Sequence, residues 1–122
     1  LDVDVYCVEL DTVLLWEHRG AENVYIPLPR FPAIARDIAV VCDAPITVGE
    51  LDECIRSAGA EELKDVRLFD VYVGPGIPEG KKSVAFSLTL RSDEGTLTDE
   101  HAQSAMDKIL NALRERLGAV IR

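Results

Sequence analysis

Two side chains in the stretch RLFDVYVG, residues 67–74, carry chemistry that a sheet strand does not itself require. Asp70 lies between Phe69 and Val71 in an otherwise apolar pattern, and Tyr72 follows two residues later. An unpaired carboxylate is costly to bury, so Asp70 is expected to face solvent or a ligand. Alternate strand residues point to one face, which would place Tyr72 beside it. A carboxylate accepts paired hydrogen bonds and an aromatic ring stacks, so the pair suits a flat ligand.

The elements that would position these side chains follow a regular order along the chain. Strand patterns cover residues 36–43, 63–73, 82–91 and 119–122, and helix patterns cover residues 48–58 and 99–117. Thr47 and Glu50 form a capping box before the first helix, and Thr98 can cap the second. This order predicts an α+β fold, a ferredoxin-like βαββαβ sandwich. It consists of a four-stranded antiparallel sheet with two helices on one face.

The third strand assigns the faces of this sheet. Its large apolar residues, among them Phe86 and Leu88, alternate with small or polar ones, so the apolar set should face the helices. The second strand is apolar on both sides, and the cost of burying Asp70 puts its set, Val66, Leu68, Asp70 and Tyr72, on the open face. The predicted open face therefore holds mostly small side chains: Ala39, Val41, Leu68, Asp70, Tyr72, Ser83, Ala85 and Ser87.

This surface of small side chains, called here the floor, fits a planar ring. Asp70 would suit a ring with two adjacent hydrogen-bond donors, as guanine has at N1–H and its amino group. One alternative stays open at this point. Asp70 could simply be solvated, on a sheet whose outer apolar residues are covered by the N-terminal segment.

Composition limits the possible classes of protein. A chain of 122 residues with 48% hydrophobic residues fits one globular domain. Three widely spaced cysteines argue against a zinc site or disulfide framework and favour a reducing cytoplasmic compartment. No apolar run reaches the roughly 18–20 residues that span a bilayer, so no membrane association is expected. The net charge of −9 speaks against a generic nucleic-acid binder and against DNA as a partner.

The segment ENVYIPLPRFP, residues 22–32, has three prolines in six positions and therefore predicts a connector. It separates residues 1–29, an extended N-terminal segment and linker, from a main domain of residues 30–122. The N-terminal segment holds six acids and one base, and its VLLWEH stretch suits a helical turn. We expect little core in it, with Trp16 as a packing anchor.

Four motifs occur in a fixed order: RFPAIARDIAVV, LFDVYVGPGIPEG, KKSVAFSLTLRS and TLTDE. Together they resemble the C-terminal ferredoxin-fold anticodon-binding domain of bacterial phenylalanyl-tRNA synthetase beta subunits. The resemblance runs from about residue 30 to residue 122. Residues 1–29 resemble the stretch that precedes this domain in the family, so Leu1 is expected to be a fragment boundary rather than a natural start.

The resemblance implies binding to the anticodon of phenylalanine tRNA, whose first base is guanine. It points to four RNA-binding positions: Ala39, Asp70, Tyr72 and Ser83. Asp70 would bind guanine, Tyr72 would stack, and the other two would allow close approach and a polar contact. Possible phosphate contacts are Lys81, Lys82 and Arg91. The resemblance also implies an alpha subunit as partner and aminoacylation elsewhere in the enzyme, with ATP and magnesium there, so no catalytic residue, metal site or cofactor is expected in this chain.

Several interpretations compete at smaller scale. Arg36 and Asp37 suit a structural ion pair, and the glycine-rich GPGIPEG stretch suits a hairpin turn better than a phosphate loop because no helix follows it. For the whole chain the rivals are a ferredoxin-like regulatory module that binds a small metabolite or a protein, and a purely structural appendage.

Overall fold

The predicted order of elements is present in a computed structural model, which describes residues 3–21, 24–25 and 27–122. The elements are α1 (Thr12–Glu17), β1 (Ile34–Asp43), α2 (Val48–Arg56), β2 (Leu63–Tyr72), β3 (Lys81–Leu90), α3 (Asp99–Leu117) and β4 (Val120–Ile121). The strands form one sheet in the order β2-β3-β1-β4, and its neighbouring strands pair antiparallel. The α+β ferredoxin-like prediction is confirmed.

Local signals explain where the two long helices begin and end. Thr47 Oγ1 accepts the Glu50 amide at 3.2 Å, while Glu50 Oε2 accepts the Thr47 amide at 2.7 Å, which completes the capping box. The hydrogen bonds from Thr47 lower the pKa of Glu50. Thr98 Oγ1 accepts the His101 amide at the start of α3. Gly118 ends α3 with φ of 60°, a left-handed conformation that glycine adopts without a Cβ clash.

One core lies between the sheet and both helices. Phe86 of β3 is fully buried, and it belongs to the same cluster as Ile55 of α2 and Ile109 of α3. The strand residues of this core include Ile38, Val40, Cys42, Val66, Val84, Phe86, Leu88 and Leu90. Both helices therefore cover the same face, called here the helix side, and the opposite face is the open face. Burial also raises the pKa of the Cys42 and Cys54 thiols, which fits structural cysteines.

The second strand departs from the alternation that the sequence predicted. Leu68 lies opposite Phe86 and Asp70 lies opposite Ala85, so Phe69 is an extra residue without a partner in the ladder. This irregularity shifts the parity of β2 by one. Val66 and Leu68 consequently lie on the helix side, and Val66 is buried in the core. Their predicted placement on the open face was wrong, whereas that of Asp70 and Tyr72 agrees with the register.

The N-terminal segment contributes nothing to this core in the part that the structure describes. Its helix α1 is capped by Asp11, which accepts the Val13 amide at 2.8 Å, but it has no buried residue. Trp16 is 68% exposed, so the prediction that it is a packing anchor was wrong. The Arg19 guanidinium carbon lies 4.4 Å from its ring centroid. The division at residue 30 stays a prediction. No helix among the described residues is long and apolar enough to cross a membrane.

Candidate functional site

Two neighbouring rows of the open face contain all four predicted RNA-binding residues. Residues directly opposite in antiparallel strands share a face, so each row runs across the sheet. The alanine row consists of Asp70, Ala85 and Ala39, with Arg122 beside Ala39. The Arg122 backbone amide donates to the Ala39 carbonyl at 2.9 Å, which fixes its position in the row. The tyrosine row consists of Tyr72, Ser83, Val41 and Val120.

Asp70 presents its carboxylate to solvent at the β2 end of the alanine row. It is exposed, and it makes neither an ion pair nor a side-chain hydrogen bond within residues 3–21, 24–25 and 27–122. A carboxylate has about four acceptor positions on its two oxygens. Asp70 therefore has the capacity to accept two donors from one ligand edge.

The turn after β2 holds the Tyr72 ring in place. The Tyr72 hydroxyl donates to the Pro75 carbonyl at 3.2 Å. A Cβ at Gly74 would lie 2.8 Å from the Tyr72 hydroxyl oxygen, so glycine makes room for the ring there. The Arg122 guanidinium carbon lies 5.8 Å from the ring centroid, within cation–π range. Tyr72 is still 36% exposed, and its ring is thus positioned before any ligand arrives.

The floor between these side chains is low because its residues are small. Ala85 is buried, Ala39 is half-buried and Ser83 is only 4% exposed. Alanine and serine project little above the backbone, so the surface leaves room for a ligand to approach the sheet closely. The predicted close approach at Ala39 is sterically possible, while a polar contact with Ser83 requires a ligand that reaches down between its neighbours.

The structure does not bring the predicted phosphate contacts together at this site. Lys81 lies on the open face but forms an ion pair with Asp43 at 2.7 Å. Arg91 lies 3.7 Å from Asp93, an ion pair in which its side chain is largely buried. Lys82 lies opposite the core residue Cys42 and therefore on the helix side, away from Asp70. A phosphate role for these three residues stays a prediction.

Two arginines on the open face were missed by the sequence-based assignment. Arg67 lies opposite Ser87, one row from Asp70, because the extra residue Phe69 reverses the parity of β2. Arg122 joins the site through the two-residue strand β4. Neither forms an ion pair among the described residues. The strand patterns gave no signal for either, since both placements depend on register.

Two other sequence features, Arg36 and the GPGIPEG stretch, have structural roles. Arg36 pairs with Asp99 at 3.3 Å rather than with Asp37, because adjacent strand residues point to opposite faces and Arg36 lies opposite Leu88 on the helix side. The predicted pair was wrong. The GPGIPEG stretch is a hairpin connection between the antiparallel strands β2 and β3, as predicted.

A cleft of about 540 Å³ lies at the far end of the sheet, where β2 begins and β3 ends. Its basic residues Lys64 and Arg91 both pair with Asp93, and the hydrogen bond from Lys64 lowers the pKa of that carboxyl. Glu61, Glu62 and Glu94 also line the cleft, so its acidic residues outnumber its basic ones. Among the described residues no group of three or more His, Cys, Asp or Glu side chains is arranged to hold a metal ion.

The sequence model of the ferredoxin-fold anticodon binding domain family matches residues 29–122. The chain belongs to this family. A match to ferredoxin-fold anticodon-binding domains confirms the resemblance drawn from the four motifs, and it does not favour the rival interpretation of a metabolite-binding regulatory module.

Curated relatives extend the similarity over the whole chain. The phenylalanine–tRNA ligase beta subunit of Halalkalibacterium halodurans is 47% identical over 119 residues, which cover 98% of this chain and 15% of the relative. Those of Clostridium tetani and Bacillus subtilis are 43% identical over 122 residues and 45% identical over 123 residues, each covering 100% of the chain and 15% of the relative. The chain spans about 15% of the length of the curated relatives it matches.

Proposed function

We propose that this chain is the anticodon-binding domain of a phenylalanyl-tRNA synthetase beta subunit, and that its open face recognises the guanine of the phenylalanine anticodon. The observation that carries the proposal is the placement of Asp70 and Tyr72 in adjacent rows of that face, with the Asp70 carboxylate unpaired among the described residues. The similarity to beta subunits over nearly the whole chain supports the choice of tRNA.

Guanine fits these two side chains by its pattern of donors. Its N1–H and amino group are adjacent, and no other standard RNA base has two neighbouring donors on its Watson–Crick edge. A carboxylate accepts both donors, whereas a base that presents an acceptor there would be repelled. The Tyr72 ring supplies a stacking surface, which is the usual way in which proteins hold an unpaired base. Asp70 would thus select guanine, and Tyr72 would add affinity with less dependence on the base.

The rest of the enzyme would supply what this chain lacks. Ligation of phenylalanine to tRNA, with ATP and magnesium, would take place in other parts of the synthetase, which includes an alpha subunit. The chain carries a net charge of −9, so most contacts to the phosphate backbone would also lie elsewhere.

A titration of the complete synthetase with phenylalanine tRNA, and with the same tRNA carrying another anticodon, tests the proposal. Asp70→Asn keeps the size but replaces one acceptor with a donor, so it should weaken guanine binding by roughly 1–3 kcal/mol. Tyr72→Ala should weaken binding by a similar ~1–3 kcal/mol, with less dependence on the base.

The matched control is Asp37→Asn, which removes the same charge from the same face, since Asp37 lies opposite Ser87. It should leave anticodon preference unchanged. If Asp70→Asn and Asp37→Asn behave alike in folded enzyme, Asp70 is a solvated sheet residue and does not recognise guanine.

A further inference from the structure

We propose that Arg67 contacts the phosphate backbone of the anticodon loop, beside the guanine that Asp70 and Tyr72 bind. This inference rests on the proposed function, because it assigns a charged partner to the same RNA strand. The chain carries a net charge of −9, so an anionic strand on its open face needs a local cation. Arg67 is in a position to supply that charge.

The three basic residues that were predicted to contact phosphate are engaged elsewhere or turned away. Lys81 forms an ion pair with Asp43 at 2.7 Å, and Lys82 lies on the helix side. Arg91 lies 3.7 Å from Asp93, and its side chain is largely buried. These residues therefore do not offer a free positive charge beside the guanine site.

Arg67 lies on the open face in the row next to the alanine row. This serine row consists of Arg67, Ser87 and Asp37. Ser87 and Ala85 are two residues apart along β3, so the two rows are separated by about 7 Å. A long arginine side chain spans that distance. The Arg67 guanidinium can thus reach a phosphate next to a guanine that lies on the alanine row.

The carboxylates around Arg67 leave its guanidinium free. Arg67 is exposed and forms no ion pair in the part of the chain that the structure describes. Asp65, two residues earlier on β2, lies 3.9 Å from Arg56 of α2 instead. Asp37 lies two strand spacings away in the serine row, which is about 10 Å. A phosphate therefore does not have to displace a bound carboxylate from Arg67.

The same carboxylates define what Arg67 contributes to RNA binding. Asp37, Asp65 and Asp70 are exposed on the open face, where they would repel a phosphate strand. Arg67 lies among them, so its charge offsets this repulsion where the strand passes. Contacts to phosphate position a nucleic acid without recognising its bases. Arg67 thus adds affinity that does not depend on the base, and it directs the strand along β2, away from Tyr72.

Removal of the charge at Arg67 tests the contact in the complete synthetase. Arg67→Gln should lower affinity for phenylalanine tRNA about fivefold at 0.1 M salt. The slope of log affinity against log salt should become shallower by about 0.7, as for one phosphate contact of a single strand. Affinity for the same tRNA with another anticodon should fall by the same factor. Arg67→Lys keeps the charge and should keep the slope.

Arg114→Gln is the matched control, because it makes the same substitution at an exposed residue of α3, on the helix side. Salt at 0.1 M screens a charge beyond about 10 Å, so this substitution should change the slope little. Equal changes of slope in the two variants, or no change in Arg67→Gln, would overturn the contact. A fall in the melting temperature of Arg67→Gln that accounts for its loss of affinity would overturn it as well.

A change on the RNA tests the contact from the other side. Phenylalanine tRNA is assembled with one anticodon-loop phosphate at a time replaced by an uncharged methylphosphonate. With the wild-type synthetase, replacement of the phosphate next to the guanine should lower affinity about fivefold. With Arg67→Gln the same replacement should have almost no further effect, because the partner charge is already missing. If every replacement lowers affinity by the same factor in both proteins, Arg67 does not contact this loop.

The same experiments distinguish failure of this inference from failure of the proposed function. If Asp70→Asn alters anticodon preference and Arg67→Gln behaves like Arg114→Gln, the function stands and the phosphate contact is wrong. If Arg67→Gln makes the salt slope shallower while Asp70→Asn has no effect on preference, the RNA lies on the open face but guanine recognition by Asp70 is wrong.

Discussion

The same strands form both faces of the sheet, but β3 has large side chains on the helix side and small ones on the open face. On the helix side of β3, Phe86 and Leu88 are fully buried and join a continuous core. On the open face, Ala85 and Ser87 alternate with them and leave a low floor at which Asp70 is exposed. Large side chains stabilise the domain on one face, and small ones keep space for a ligand on the other. Stability and recognition should therefore respond to different substitutions.

The largest effect is expected on the helix side. Phe86→Ala removes a fully buried ring and should lower the free energy of unfolding by about 3–5 kcal/mol, measured by chemical denaturation. Ser87→Ala, at the next residue on the opposite face, should change it by less than about 0.5 kcal/mol. Similar losses for both substitutions would show that the open face also contributes to the core.

The converse experiment enlarges one small side chain on the open face. Ala39→Leu adds bulk to the floor between Asp70 and Arg122 without entering the core, so stability should change little. Affinity of the synthetase for phenylalanine tRNA should fall by roughly 1–3 kcal/mol, as when a stacking contact is lost. Ala35→Leu is the control, since Ala35 lies on the same strand and face, opposite Thr89. If both substitutions leave affinity intact, the ligand does not lie on this floor.

The smallest effect is expected from removing residues 1–21. Every described residue of that segment is exposed, so deletion should leave a cooperative domain with a loss of about 0.5 kcal/mol or less in unfolding free energy. Thermal unfolding of the shortened chain measures this. The experiment also tests whether the segment covers the open face, as one interpretation of the sequence allowed. A molten globule after deletion would mean that the segment is part of the core.

Much of the fold could be predicted because its signals are local. The predicted helix over residues 99–117 has the bounds of α3, since Thr98 and Gly118 mark its ends by their own hydrogen bonds and backbone conformation. The faces of β3 followed from strict alternation of large and small residues. The cost of burying a carboxylate was enough to place Asp70 on the open face, even though the parity assumed for the rest of β2 was wrong.

What the sequence by itself determined is the order of the elements, the two faces of β3 and the chemistry of the pair Asp70 and Tyr72. The tertiary structure decided which other residues join that pair. The unpaired Phe69 shifts β2 by one position and moves Leu68 to the helix side and Arg67 to the open face. Arg122 reaches Tyr72 only because β4 pairs with β1. Alternation within a strand is a local property of the backbone, whereas register between strands depends on distant residues. A single extra residue reverses the faces of the residues before it, here from Asp65 to Leu68, up to a second register shift.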